Sequence, residues 1–233
     1  MPSSVSCVVP ARMGSSRFPG KPLVSIAGLP MVVRTLERAR LADCFDRILC
    51  ATDSSQIAEV VSKAGFESVH TADYPTGSDR VACVAALLHL PLVVNLQGDE
   101  PVANPVLLRQ VAEALSRDPG SWVTAASPLK MSEVANPNLV KVLIQDGFAK
   151  NFTRQAVSGS DWRVHRGIYG YSLDALREFA QTSSPPQELQ ESIEPLRILN
   201  SRPIRILTTT SVSLSVDVPG DIAAVESHLA RLS

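Results

Sequence analysis

The sequence predicts an α/β fold: a mostly parallel central sheet with a smaller mixed α/β subregion. Three observations carry that reading. Short apolar runs alternate with amphipathic segments through the first half of the chain, as in right-handed βαβ units. A glycine-rich, basic loop joins the first strand to the first helix, where open sheets of this kind hold phosphates. In the second half, strand-like runs follow one another without helices between them, which predicts a partly antiparallel extension.

The run Val5, Cys7, Val8, Val9 reads as a short buried strand, and Met31–Ala42 as the first helix, with Val32, Leu36 and Ala39 at helical spacing. Between them lies Pro10–Pro22, PARMGSSRFPGKP. Gly14 and Gly20 allow close backbone approach, Ser15 and Ser16 add small donors, and Arg12, Arg17 and Lys21 bring positive charge with no acid in the stretch. Five residues separate the glycines and Pro22 stands where a hydroxyl belongs, so this is not the P-loop of ATPases and GTPases. A phosphate cradle and a merely basic surface loop are the two readings left.

Arg47–Ala51 suits a central strand, with Thr52, Asp53 and Ser54 offering cap chemistry for a helix through about Ala64 and Gly65 as its stop. Phe66–His70 reads as a strand, Pro75–Arg80 as a turn and Ser78–Leu90 as an apolar helix that Ser78 or Asp79 could cap. Leu92–Leu96 is a buried strand, Pro105–Arg117 an amphipathic helix and Trp122–Ala126 a further strand. Strands are then expected at Leu139–Ile144, Ala149–Arg154, Val164–Tyr171 and Ile204–Thr208, and helices at Leu173–Gln181, Gln187–Leu199 and Asp221–Leu232. With no repeat or linker, residues 1–233 read as one domain whose region of about 130–200 is an inserted or appended part.

Composition bounds the function. A 233-residue chain with 45% hydrophobic and 19% charged residues is ordinary for a globular protein, and a net charge of −1 argues against a general nucleic-acid binder. Cys7, Cys44, Cys50 and Cys83 form no CxxC pair and read as reduced thiols. Nothing approaches the roughly 18 apolar residues of a membrane span. The absence of a secretion pattern predicts a cytoplasmic protein without membrane insertion.

Asp99 follows a buried strand at its carboxyl end, the ligand edge of an open α/β sheet. Asp217 follows the alternating run Val212–Val216. Magnesium takes one or two carboxylates plus substrate phosphates, so both are candidate ligands, although either could simply cap a turn. Thr76, Gly77, Ser78 and Arg80 could hold a base, sugar or anion, or only open a helix. His165 and Tyr169 fall on one face of a strand, where packing on a half-buried sheet is the stronger account. Glu188, Glu191 and Glu194, spaced by three, could line a site or form a solvated helical face.

The segments PARMGSSRFPGKPL, TGSDR, NLQGDEP, NPNLVKV, HRGIYGY, IEPLRIL and SVDVPGDI occur in the order found in 3-deoxy-manno-octulosonate cytidylyltransferases, also called CMP-Kdo synthetases, which this chain resembles over nearly its whole length. The resemblance implies a Rossmann-like nucleotidyltransferase fold. It also implies magnesium-dependent transfer of CMP from CTP to the acid sugar Kdo, with release of pyrophosphate, for lipopolysaccharide biosynthesis, usually in a homodimer. It places Arg12 and Lys21 on the triphosphate, Ser15 in the same loop, Arg17 near the sugar acid, and Thr76, Gly77 and Ser78 near the nucleotide. Arg80 and Gln97 fall beside the reacting pair, Asp99 and Asp217 on magnesium, and His165, Tyr169, Glu191 and Glu194 around the sugar. Lys21, Asp99 and Arg17 are thereby the catalytic candidates. The chain departs from the family at Tyr74-Pro75, where an imidazole is usual, at Gln155–Ser158, which lacks a proline, and in a shortened segment before His165. Pro195 replaces a glutamine beside the sugar pocket. These departures admit two alternatives: CMP transfer to another acid sugar, such as an amino-Kdo or a nonulosonate, or a non-catalytic nucleotide-binding protein.

Overall fold

The computed structural model describes residues 4–14, 18–210 and 214–231. The first strand, β1 (Val5–Ala11), lies inside the sheet and is buried along its whole length. Cys7 and Val9 face one layer of helices while Val8 faces the other, so both faces of the strand are covered and its sequence is apolar apart from Ser6. A hairpin follows, β2 (Ser25–Ile26) and β3 (Leu29–Pro30), leading into α1 (Met31–Ala42). Sequence reasoning missed this hairpin. Its turn places Ala27 at φ 46° and Gly28 at φ 84°, and alanine is not a residue that announces a left-handed position.

Next come β4 (Arg47–Thr52), α2 (Ser55–Lys63), β5 (Glu67–His70), α3 (Gly77–Leu87), β6 (Leu92–Leu96), α4 (Pro105–Arg117) and β7 (Trp122–Pro128). The helix starts are written in short polar side chains. Ser54 accepts from the Ile57 amide at 3.4 Å, and Asn104 from those of Val106 and Leu107 at 2.8 and 3.4 Å. For α3 the cap is Thr76, whose hydroxyl accepts from the Asp79 amide at 3.1 Å, rather than Ser78 or Asp79. Gly65, at φ 79°, ends α2 with a Phe66 amide bond back to the Val61 carbonyl.

The remaining elements are β8 (Lys141–Gln145), β9 (Phe148–Thr153), β10 (Trp162–Ser172), α5 (Leu173–Gln181), α6 (Pro186–Glu191), β11 (Ile204–Thr208) and α7 (Ile222–Ala230). The nine-stranded sheet runs β5-β4-β1-β6-β10-β7-β11-β9-β8. From β5 to β6 it is parallel, and β10 then enters antiparallel to both β6 and β7. The eleven residues of β10 serve two partners: Ile168–Ser172 pair with β6, while Trp162–Val164 pair with β8. A register shift between Arg166 and Tyr169 separates the two halves. The predicted α/β fold with an antiparallel extension is what forms.

The single helix expected over Gln187–Leu199 is corrected. α6 ends at Glu191, Ser192 turns left-handed at φ 53°, and Glu194–Arg197 is one 3₁₀ turn. Pro195 can occupy the first turn of a helix but not its interior, so the acidic triplet does not share one helical face. The Val212–Val216 run joins no strand among its described residues, 214–216. The expected terminal helix ends at Ala230, and Leu232 lies outside the described residues. All four cysteines are free thiols, Cys7 and Cys50 buried, and no helix among the described residues is long and apolar enough to cross a membrane.

Candidate active site

The carboxyl ends of β1 and β6 lie side by side, and the chain leaving each builds the site. After β6 comes Gln97-Gly98-Asp99, pressed so closely on β1 that a Cβ at Gly98 would sit 2.5 Å from the Pro10 carbonyl oxygen. Only glycine fits there, because the obstacle is backbone. Gly98→Ala is therefore expected to cost about 1–3 kcal/mol in urea unfolding, as overpacking does, and to lower activity by displacing Asp99.

Two further contacts fix the aspartates. The Thr35 hydroxyl donates to the Gly98 carbonyl at 3.2 Å, and the Val216 amide donates to the Asp99 carbonyl at 3.0 Å. Val216 is fully buried among Ile26, Met31, Val102 and Val225, so α7 and the β2–β3 hairpin anchor the residue beside Asp217. The Asp221 carboxylate accepts from the amides of Asp217 and Val218 at 2.7 and 2.9 Å. Lys21, brought in by a 3₁₀ turn after Gly20 (φ 72°), places its ammonium 2.7 Å from Asp99 Oδ2 and 3.6 Å from Asp217 Oδ1. One cation thus sits between two carboxylates from distant parts of the chain.

This cluster borders a cavity of about 860 Å³. Arg12, Thr76, Gly77 and Gln97 line it near the cluster's strand ends, and His165, Tyr169, Glu191 and Glu194 line it as well. A match to the cytidylyltransferase family covers residues 6–197.

The chain belongs to the cytidylyltransferase family.

It is 43% identical to the 3-deoxy-manno-octulosonate cytidylyltransferase of Syntrophotalea carbinolica, over 98% of this chain and 100% of that one. The enzyme of the same name from Oleidesulfovibrio alaskensis is 38% identical over 94% and 93% of the two chains. A solved structure of CMP:2-keto-3-deoxy-manno-octonic acid synthetase complexed with CTP matches with a TM-score of 0.92 at 30% identity, over 99% of this chain and 100% of that one. The motif resemblance and the nucleotidyltransferase fold it implied are borne out.

Several predicted site residues of this cytidylyltransferase are engaged within the protein. Ser78 is fully buried, its hydroxyl bonded to that of Tyr171 (2.9 Å) and to Asn95 Nδ2 (3.3 Å), and it does not line the cavity. Arg80 borders the cavity but is almost wholly buried, paired with Asp53 at 2.8 Å and donating to the Thr71 hydroxyl and the Ala72 carbonyl. Both oxygens of Glu194 accept from amides at the start of α3, Gly77 N and Ser78 N, each at 3.1 Å, while burial pushes its carboxyl up despite those bonds. Glu191 accepts from the Thr153 hydroxyl at 2.8 Å, from the Arg154 amide at 2.5 Å and from Gln187 at 3.1 Å.

Arg12 stays exposed, donating to the Tyr74 carbonyl at 3.3 Å. Gln97 fills the gap between Gly77 and Gly167, positions where a Cβ would lie 3.2 and 3.1 Å from it. His165 bonds the Thr124 hydroxyl at 2.9 Å between the rings of Phe152 and Tyr169. Burial, with Arg166 and Arg154 adding to it, pushes its pKa down to about 3, so the imidazole is neutral at neutral pH. Burial likewise raises the Tyr169 phenol well above its ordinary range. Ser15 and Arg17 lie outside the described residues.

Sequence reasoning overlooked Arg154 and Arg166, which line the cavity; Glu188, read as lining a site or a solvated helical face, lines the cavity while bonding Arg197. Arg166 directly follows His165 inside HRGIYGY, so its signal was available. The role of Glu188 needed a partner on another segment and was not.

Among the described residues no three His, Cys, Asp or Glu side chains gather to hold a metal by protein alone. Asp99 and Asp217 gather as a pair facing open cavity, the hard oxygen set that magnesium shares with waters and phosphates. The residues fit that ion.

Proposed function

We propose that this cytidylyltransferase moves CMP from CTP to the anomeric hydroxyl of 3-deoxy-manno-octulosonate, releasing pyrophosphate, in lipopolysaccharide biosynthesis. The observation that carries the proposal is the Lys21–Asp99–Asp217 cluster at the carboxyl ends of β1 and β6. Asp99 and Asp217 would hold a magnesium ion, which when bound offsets negative charge on the phosphates and acidifies the attacking hydroxyl. Lys21 serves the same end as a fixed ammonium, held in place by the two carboxylates rather than by solvent. Arg12, exposed at the same edge and held by surface contacts to the Tyr74 carbonyl and Asp73, would turn from them to the triphosphate. At the other substrate, neutral His165 and Tyr169 present a packed wall that excludes water and leaves the sugar's carboxylate to the guanidinium groups of Arg154 and Arg166.

Homodimer formation and a cytoplasmic setting accompany the family likeness and belong to the same proposal. The alternatives of another acid sugar and of a non-catalytic binder are not favoured, since the relatives named above are manno-octulosonate cytidylyltransferases by name and both candidate metal carboxylates, Asp99 and Asp217, are present beside Lys21. Pyrophosphate release decides among the three. CTP, UTP, ATP and GTP are each offered with Kdo, and CTP also with an amino-Kdo and a nonulosonate. Release is expected with CTP and Kdo above all other pairs. Faster release with another acid sugar would reassign the substrate, and none with any pair would leave a binder.

A further inference from the structure

Lys141, on β8, has no exposed surface. Among the described residues it enters no ion pair; its ammonium donates to the carbonyls of Asn136 at 2.6 Å and Arg154 at 2.7 Å. Burial and the nearby Arg154 charge both push its pKa down, with Glu191 opposing. Desolvating an ammonium for two carbonyl dipoles is unfavourable next to packing an apolar side chain of the same length, such as methionine. What methionine cannot do is draw two main-chain segments to one point.

Arg154 extends the same tie. Its Nη1 donates to the Asn138 carbonyl at 2.9 Å and its Nε to the Glu191 carbonyl at 2.7 Å. Asn138, Arg154 and Glu191 line the cavity, whereas Lys141 does not. Three wall segments, from the turn before β8, the end of β9 and the end of α6, are therefore fastened to one another from behind.

We propose that Lys141 is a positioning residue for the acid-sugar end of the cavity, fixing the turn that carries Asn138 against Arg154 so that the wall meets its substrate preformed. The assignment of that end to the sugar rests on the function proposed above. The tie itself does not, and this separates the two in the test.

The experiment compares wild type, Lys141→Met and Val142→Ala. Val142 is fully buried and adjoins Lys141 on the opposite face of the strand, so its truncation loosens the same element without touching the tie. Steady-state kinetics vary CTP and Kdo separately, thermal melts report stability, and hydrogen exchange follows residues 136–139 and 154–155. Lys141→Met is expected to raise KM for Kdo about tenfold with KM for CTP unchanged, since small misplacements of positioning groups have effects of that order. Exchange at 136–139 and 154–155 should quicken in that variant, whereas Val142→Ala should lose thermal stability with neither KM moved. A parallel rise in both KM values, an equal rise for Kdo in Val142→Ala, or unchanged exchange at those residues each overturns the proposal. Should Lys141→Met fail to fold, Lys141→Gln, which keeps a shorter donor, takes its place with the same expectations. Should wild type release no pyrophosphate with Kdo, the functional reading fails, and hydrogen exchange alone still decides the tie.

Discussion

Lys21→Met is expected to lower turnover by about 10²–10³, the loss seen when one fixed group that stabilises developing charge is removed. The variant has a second consequence. With the ammonium gone, the carboxylates of Asp99 and Asp217, from which it lies 2.7 and 3.6 Å, lose the positive charge that Lys21 places between them. Neighbouring like charges disfavour the folded state, and a divalent ion offsets them. Magnesium should therefore raise the thermal midpoint of Lys21→Met more than that of wild type, because a ligand that binds only the folded state stabilises it by mass action. Melting curves with and without magnesium, run beside initial rates, check both halves. Rates within a few-fold of wild type, with the same magnesium response, would mean that Lys21 is only a tether.

The largest loss of stability is expected from Arg197→Met. The guanidinium is buried between three partners. It bonds the Asp79 carboxylate at 2.6 and 3.3 Å and Glu188 through Nε at 2.9 Å and Nη2 at 2.5 Å, with its carbon 3.8 Å from the centre of the Phe179 ring. Burial works against its charge, and Glu188 and Asp79 more than offset that, raising its pKa. Truncating one member leaves the other charges buried without compensation, which costs about 3–5 kcal/mol. Replacing Arg197, Asp79 and Glu188 together with apolar residues should recover most of that loss, since well-packed hydrophobic groups match buried ion clusters. Urea unfolding of the single and triple variants measures it. A single variant within about 1 kcal/mol of wild type, the range of an exposed pair, would show the triad to be solvated in solution.

The parallel half of the sheet was legible because its signals are local. The apolar run of β1, the Asn104-Pro105 start of α4 and the Gly65 stop of α2 each act within one turn of chain. Asp99 was legible for a related reason: a buried strand ending in a loop marks the ligand edge, whatever packs around it. The rest depended on distant partners. Glu194 was read as a wall of the sugar pocket, yet it caps α3 at Gly77, 117 residues earlier, a pairing that local spacing cannot reveal. The divided pairing of β10, the left-handed Ala27 and Ser192, and the Arg197 triad are set by tertiary contacts in the same way. Pro195 was read as a lost side-chain contact, and its larger effect is to fix where α6 stops and the 3₁₀ turn begins.

The central claim is that Asp99 and Asp217, brought together across Lys21, grip CTP through magnesium. The direct measurement is CTP affinity by calorimetry, with and without magnesium, in wild type and in Asp99→Asn combined with Asp217→Asn. Magnesium should tighten CTP binding to wild type and leave the double variant unchanged. An equal gain in both proteins would contradict the account.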